Sequence, residues 1–211
     1  MINARVDPIF PTPIVRTSLG RDFSNEEMAY VDYHRRLSHA NVGNRISDDI
    51  YVLNKPEFAG LKQFVQQSVE YYIQEVERPM YDVKPYITHS WLTYTEKGEY
   101  HHKHTHPNSY ISGVLYINAD IEKDRIYFFK NQHRTLEITT KEPNFYNSTS
   151  WWFEVGTGTL ILFPSSLQHM VETTHSSETR IALAFNTFFE GQLGNQKDLT
   201  ILTVGKDKRY E

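Results

Sequence analysis

Cysteine is absent from this 211-residue chain. That excludes a disulfide framework, a thiolate zinc site and a thiol nucleophile. Long apolar runs are absent too: nothing approaches about 18 consecutive apolar residues, so no membrane-spanning helix is expected. The opening, MINARVDPIFPTPIVRTSLG, lacks the apolar run of a secretory signal. A cytoplasmic location is therefore the expectation, and the sequon-like Asn147-Ser148-Thr149 reads as chance. Positive charge is in short supply: 22 Lys and Arg against 26 Asp and Glu leave a formal charge of −4. No basic footprint for nucleic acid or an anionic membrane exists, and neither is expected as a partner.

What the chain does have is aromatic and apolar residues in the proportions of a globular protein. Apolar residues make up 39%, charged residues 23%, and aromatics 14% with 14 Tyr and 12 Phe. The length suits one domain over 1–211, and the aromatic and β-branched content leans toward strands.

Three prolines in PIFPTPIVR (8–16) exclude a helix interior and predict an extended segment. Ser24 followed by Glu26 and Glu27 predicts a helix start, and that helix runs to about Leu37. Leu61, Phe64, Val65, Val69, Tyr72, Ile73 and Val76 recur at helical spacing ahead of Pro79, which predicts a second helix with a core-facing stripe. From about residue 86 the texture changes. ITHSWLTYT, EYHHKHTH, YISGVLYINA, RIYFFK, RTLEITT, WWFEV, TLILFP, HMVETT, RIALAFNTFF and LTILTV follow one another with no helical pattern between them. That is the pattern of an antiparallel double sheet, not of βαβ units. The expected fold is mainly β: a jelly roll (double-stranded β-helix) over 86–205, with an extended segment and two helices from 1–85 packed against it. The polar stretch 131–150 is expected to be a covering loop, with Tyr146, Trp151 and Trp152 at its border.

Chemistry concentrates in YHHKHTHP, residues 100–107, which holds four of the ten histidines. On a strand, His102, His104 and His106 would share one face, with His101 and Lys103 on the other. Two imidazoles at i and i+2 on one face can hold a metal ion if a third ligand arrives from elsewhere. GTGTLILFPSSLQH (156–169) offers His169 at the start of a strand able to lie beside the first pair. Whether His106 or His102 completes the pair with His104 stays open on spacing alone. Eleven residues after His169, Arg180 opens a strand with Ile181, Leu183 and Phe185 on one face and Arg180, Ala182, Ala184 and Asn186 on the other. An arginine on an alanine-lined face has room for a carboxylate, which its fork binds bidentately. The plainer role is a salt bridge to a loop acid such as Glu172 or Glu178.

The ordered set of H-x-H, G-x-L-x-x-F-P, His and Arg resembles the iron(II)/2-oxoglutarate-dependent oxygenases. It is most similar to the prolyl-hydroxylase-like group of oxygenases from phages and bacteria, and a phage-encoded protein would work in the host cytoplasm. The segments carrying the resemblance are 91–98, HTHPNSYISGVLYI (104–117), GTLILFPSSLQHMVE (158–172) and TRIALAFN (179–186), with PIFPTPI at the start. It implies that His104, His106 and His169 bind Fe(II) and that Arg180 grips the distal carboxylate of the co-substrate 2-oxoglutarate. The implied reaction turns 2-oxoglutarate and dioxygen into succinate and carbon dioxide and hydroxylates a C–H bond of a small molecule or a protein side chain.

The chain departs from the wider superfamily twice. The carboxylate of H-x-D/E is replaced by His106, and the serine of Arg-x-Ser by Ala182. Tyr94, Ser112 and Tyr116 are the candidates to supply the missing hydroxyl. Three other readings compete. Gly98 to His106, then Gly158, Pro164 and His169, also fit the cupin motifs, though Ser166 stands where a glycine belongs and residues 110 and 111 are Tyr and Ile where a glutamate would be needed. A three-His cupin dioxygenase would need no 2-oxoglutarate, so Arg180 separates the two. A non-catalytic jelly-roll module would need no metal. A zinc hydrolase lacks an acid beside the histidines, since Glu96 and Glu99 precede them in the turn.

Overall fold

The computed structural model describes residues 2–131, 136 and 138–205. Strand β1 is Val15–Ser18, and helix α1 is Asn25–Leu37. The α1 start is a reciprocal cap: Ser24 Oγ accepts from the Glu27 backbone N–H, and Glu27 returns a carboxylate to the Ser24 N–H at 2.7 Å. Short strands β2 (His39–Ala40) and β3 (Arg45–Ile46) precede α2 (Ala59–Tyr72), which continues as a wider helical turn over 73–77 and stops at Arg78, whose φ is +47°. Leu61, Val65, Val69, Tyr72 and Ile73 are buried as their spacing requires, while Val76 lies exposed where the helix leaves the sheet. The extended opening becomes strand only from Val15; before it, Phe10 sits at φ +60° and exposed. Among the described residues no helix is long and apolar enough to cross a membrane.

The jelly roll follows as β4 (Val83–Thr95), β5 (His101–His104), β6 (Ile111–Asn118), β7 (Arg125–Phe129), β8 (Ser150–Glu154), β9 (Thr159–Pro164), β10 (His169–Val171), β11 (Arg180–Leu193) and β12 (Leu202–Val204). The large sheet runs β1-β9-β6-β11-β4-β3-β2, with β12 also on β11, and the small one runs β5-β10-β7-β8. Within each sheet the named neighbours pair antiparallel. Nine of the ten expected strand segments are strands. In the tenth, RTLEITT, Arg134, Thr135 and Glu137 lie outside the described residues; Leu136 and residues 138–140 are not strand.

Period-two alternation gives the large sheet two buried faces. Leu92, Tyr94, Leu115, Leu160, Leu162, Leu183 and Phe185 pack against the helices. Tyr116, Ile161, Phe163 and Ala182 face the small sheet, meeting Ile126, Phe128 and Val171. The unbroken apolar run Leu160–Phe163 is what a strand covered on both sides needs. At Gly113 the approach is too close for a side chain: a Cβ there would sit 2.1 Å from Phe185 Cζ.

Candidate functional site

Antiparallel pairing of β5 with β10 sets His104 opposite His169. His106 is not on β5, which ends at His104. It lies in the following segment, where its backbone N–H donates to the Ser165 carbonyl at 3.0 Å. The same turn, 164–169, thus seats His106 and launches His169. The three imidazoles come together, with their ligating nitrogens all within 4.8 Å of one another and His106 Nε2 3.2 Å from His169 Nε2.

Backbone carbonyls settle two tautomers. His104 Nδ1 donates to the His102 carbonyl at 2.8 Å, and His169 Nδ1 to that of Leu167 at 3.0 Å. A carbonyl only accepts, so in each neutral ring the lone pair is on Nε2. Neutrality follows from burial. Burial pushes His169 down to about 2, helped by neighbouring His104. It pushes His106 down to about 4, and His104 also shifts downward with burial as the leading cause.

The expected two-face pattern of residues 101–106 fails. Between β5 and β10, Val171 pairs with His101 and His169 with His104, so three steps along β5 match two along β10. This bulge brings His101 inward beside His104. The His101 ring stacks on His104, with centroids 4.7 Å apart and planes at 17°, and burial pushes it down to about 3. Lys103 is the residue left outside, its Nζ 3.7 Å from the Phe129 ring centre. Spacing alone could not show this, because the extra residue is visible only in the register.

A pocket opens onto the histidines. Its walls are Trp91, Thr93 and Thr95 of β4, Val114 and Tyr116 of β6, and Arg180, Ala182 and Ala184 of β11, closed by His101, Ile126 and Val171. The alanine-lined face of Arg180 is therefore this pocket wall. Arg180 is 4% exposed, and one nitrogen, Nη1, donates to Asp124 Oδ1 at 2.9 Å and to the Glu172 carbonyl at 3.1 Å. Its ion-pair partner is thus Asp124, not the side chain of Glu172 or Glu178. Nη2 is buried and has no partner among the described residues.

The three hydroxyl candidates separate. Tyr116 lines the pocket, and its hydroxyl is buried with no partner among the described residues; burial drives its pKa upward, so it stays a donor. Tyr94 faces the helices, because Thr93 and Thr95 take the pocket side of β4, and its hydroxyl donates to the Val31 carbonyl at 2.8 Å. Ser112, at the start of β6, is committed to Ser165 Oγ at 2.8 Å and Asn186 Oδ1 at 2.9 Å. Thr95 escaped sequence reasoning: it pairs with Arg180 across β4 and β11. The aromatic border of the 131–150 loop does not line the pocket. Trp151 packs on Phe145 at 4.4 Å, and Trp152 lies under the Arg125 guanidinium.

Residues 89–186 match a family model described as "Putative 2OG-Fe(II) oxygenase". No curated relative matches the chain by sequence. Among solved structures, a 2OG-Fe(II) oxygenase-family oxidoreductase from Burkholderia pseudomallei superposes with a TM-score of 0.55 at 13% identity, over 82% of this chain and 84% of that one. HygX from Streptomyces hygroscopicus, with nickel, 2-oxoglutarate and hygromycin B bound, gives 0.56 at 14% identity, over 83% and 82%. A prolyl hydroxylase from Trichoplax adhaerens, in complex with a hypoxia inducible factor peptide fragment, gives 0.56 at 14%, over 83% of each chain. Such identities show a shared fold; the family match covers the strands that carry the histidines and Arg180. Over that matched core, which carries the histidines and Arg180, the chain is similar to the iron(II)/2-oxoglutarate-dependent oxygenases.

Proposed function

We propose that this protein is an iron(II)- and 2-oxoglutarate-dependent dioxygenase that hydroxylates a small molecule or a protein side chain. The carrying observation is the pair of Nε2 atoms 3.2 Å apart on His106 and His169. Two nitrogens each about 2.1 Å from one ion, at 90–110°, are roughly 3.0–3.4 Å apart. His169 Nε2 bears a lone pair, because its Nδ1 proton is spent on Leu167. His104, His106 and His169 would hold the ion from one side as neutral donors, and imidazole suits iron. Lacking the usual carboxylate, this set leaves a divalent ion with its full charge, which favours an anionic co-substrate.

Two buried donors without partners, Arg180 Nη2 and Tyr116 Oη, fit the far carboxylate of 2-oxoglutarate. Left unpaired, such groups are costly to bury. Asp124 and the Glu172 carbonyl hold the other end of the guanidinium, orienting the free nitrogen. Ala182 and Ala184 leave the space, and Ile126, Val114 and Val171 keep water from it. The bound iron would supply dioxygen activation coupled to decarboxylation of the co-substrate, while the chain binds, orients and dries.

The Arg180–Asp124 pair favours one alternative: an arginine satisfied by its own carboxylate in a three-His dioxygenase that uses no 2-oxoglutarate. Anaerobic titration decides. The Fe(II)-loaded protein should develop the visible charge-transfer band of a 2-oxoglutarate complex and, in air, form succinate slowly. Iron binding without that band selects the alternative.

A further inference from the structure

The bulged segment holds a second set of imidazoles. The ligating nitrogens of His101, His102 and His104 also lie within 4.8 Å of one another. All three residues are half-buried, whereas the first set ends on His169, which is 3% exposed. His102 Nδ1 is buried and has no partner among the described residues. His101 is held by ring contacts, 5.3 Å from His102 and 4.7 Å from His104. His104 spends Nδ1 on the His102 carbonyl, so it offers Nε2 alone, and it belongs to both sets. One lone pair cannot serve two ions. The outer set is therefore an alternative seat for the ion of the inner set.

We propose that His101, His102 and His104 form an outer, staging seat for a divalent transition-metal ion, which passes from there to His104, His106 and His169 while His104 keeps hold. Imidazole donors suit iron, cobalt, nickel and zinc alike. Stripping water from a divalent ion in one step and burying it beside His169 is expensive. Exchanging ligands one at a time around a shared histidine divides that cost. The His101 and His104 rings need to turn out of their stack to converge on an ion, and the imidazole χ2 torsion is soft.

The proposal rests on the inner set binding the ion, which the wild-type stoichiometry tests by itself. The probe is cobalt(II), followed by equilibrium dialysis with metal analysis and by its visible absorption. Wild type should bind one equivalent. His106→Ala/His169→Ala, lacking the inner set, should still bind one equivalent, weaker by at least about tenfold, since even outer-shell changes cost roughly 10–100-fold. Adding His102→Ala should abolish it. In stopped flow, His102→Ala alone should reach one equivalent but load about tenfold more slowly than wild type. No cobalt on a folded double variant, wild-type loading by His102→Ala, or a second saturable equivalent on wild type would each overturn the shared seat. If the double variant does not fold, His106→Gln with and without His102→Ala carries the same comparison. Absence of cobalt on wild type itself refutes the inner set and the function proposed above.

Discussion

The two faces of the large sheet are both covered and chemically opposite. Toward the helices, Leu92, Leu115, Leu162, Leu183 and Phe185 make an apolar layer, and the Tyr94 hydroxyl among them is satisfied by a helix carbonyl. Toward the small sheet, the same strands present Arg180 and Tyr116, each with a buried donor lacking a partner among the described residues, beside three imidazoles held neutral by burial. A polar group buried without a partner costs about 1–3 kcal/mol. The helix face contributes stability, and the other face carries buried donors that no group among the described residues satisfies.

That contrast can be broken most severely at the metal. His169→Ala should weaken iron binding by at least about tenfold and abolish succinate formation while the melting transition survives; metal titration with circular dichroism reads both. Wild-type iron affinity in His169→Ala would end the metal assignment.

Next comes Arg180. Arg180→Ala leaves the buried Asp124 carboxylate without its cation, held by the Asp120 N–H, and breaking such a pair costs about 3–5 kcal/mol. Arg180→Ala/Asp124→Ala should regain much of that stability but not co-substrate binding, which should weaken by roughly 30- to several-thousand-fold. Arg180→Lys should restore part of the binding, keeping charge without the fork. Normal 2-oxoglutarate affinity in the double variant at full iron content would make Arg180 a structural residue.

On the helix face, Gly113→Ala places a methyl on Phe185 and should cost about 1–3 kcal/mol with iron per folded molecule unchanged. Altered iron affinity there would show the two faces to be coupled.

Acid should weaken the site face of the metal-stripped protein. The folded-state values of His106 and His169 lie near 4 and 2, below the ordinary 6.5. Between those values the unfolded chain takes up protons that the folded one refuses. Their contribution is therefore fully present above pH 6.5 and is lost as pH falls toward 4 and below. Urea midpoints should drop from pH 7 to pH 5, and by less in His106→Gln; identical slopes in the two proteins would contradict the burial account.

The smallest effects oppose each other. Tyr94→Phe should lose about 1 kcal/mol with unchanged 2-oxoglutarate binding. Tyr116→Phe should lose no stability but bind 2-oxoglutarate roughly three- to tenfold more weakly, the worth of about one hydrogen bond. Equal behaviour of the two would remove Tyr116 from the site.

The sequence by itself determined the helices and nine of the strands, because caps, helical stripes and alternation act locally. Ser24 with Glu27 marked the α1 start to the residue, and the alternation after Arg180 sorted pocket wall from helix face. Only the tertiary structure decided which polar groups were already paired. Tyr94 and Tyr116 are alike in sequence, and what separates them is a carbonyl 63 residues from Tyr94 and none for Tyr116. Asp124 became the partner of Arg180 across 56 residues, a pairing no local pattern encodes. His101 turned inward because a bulge against β10 adds one residue to β5, and register belongs to two strands at once.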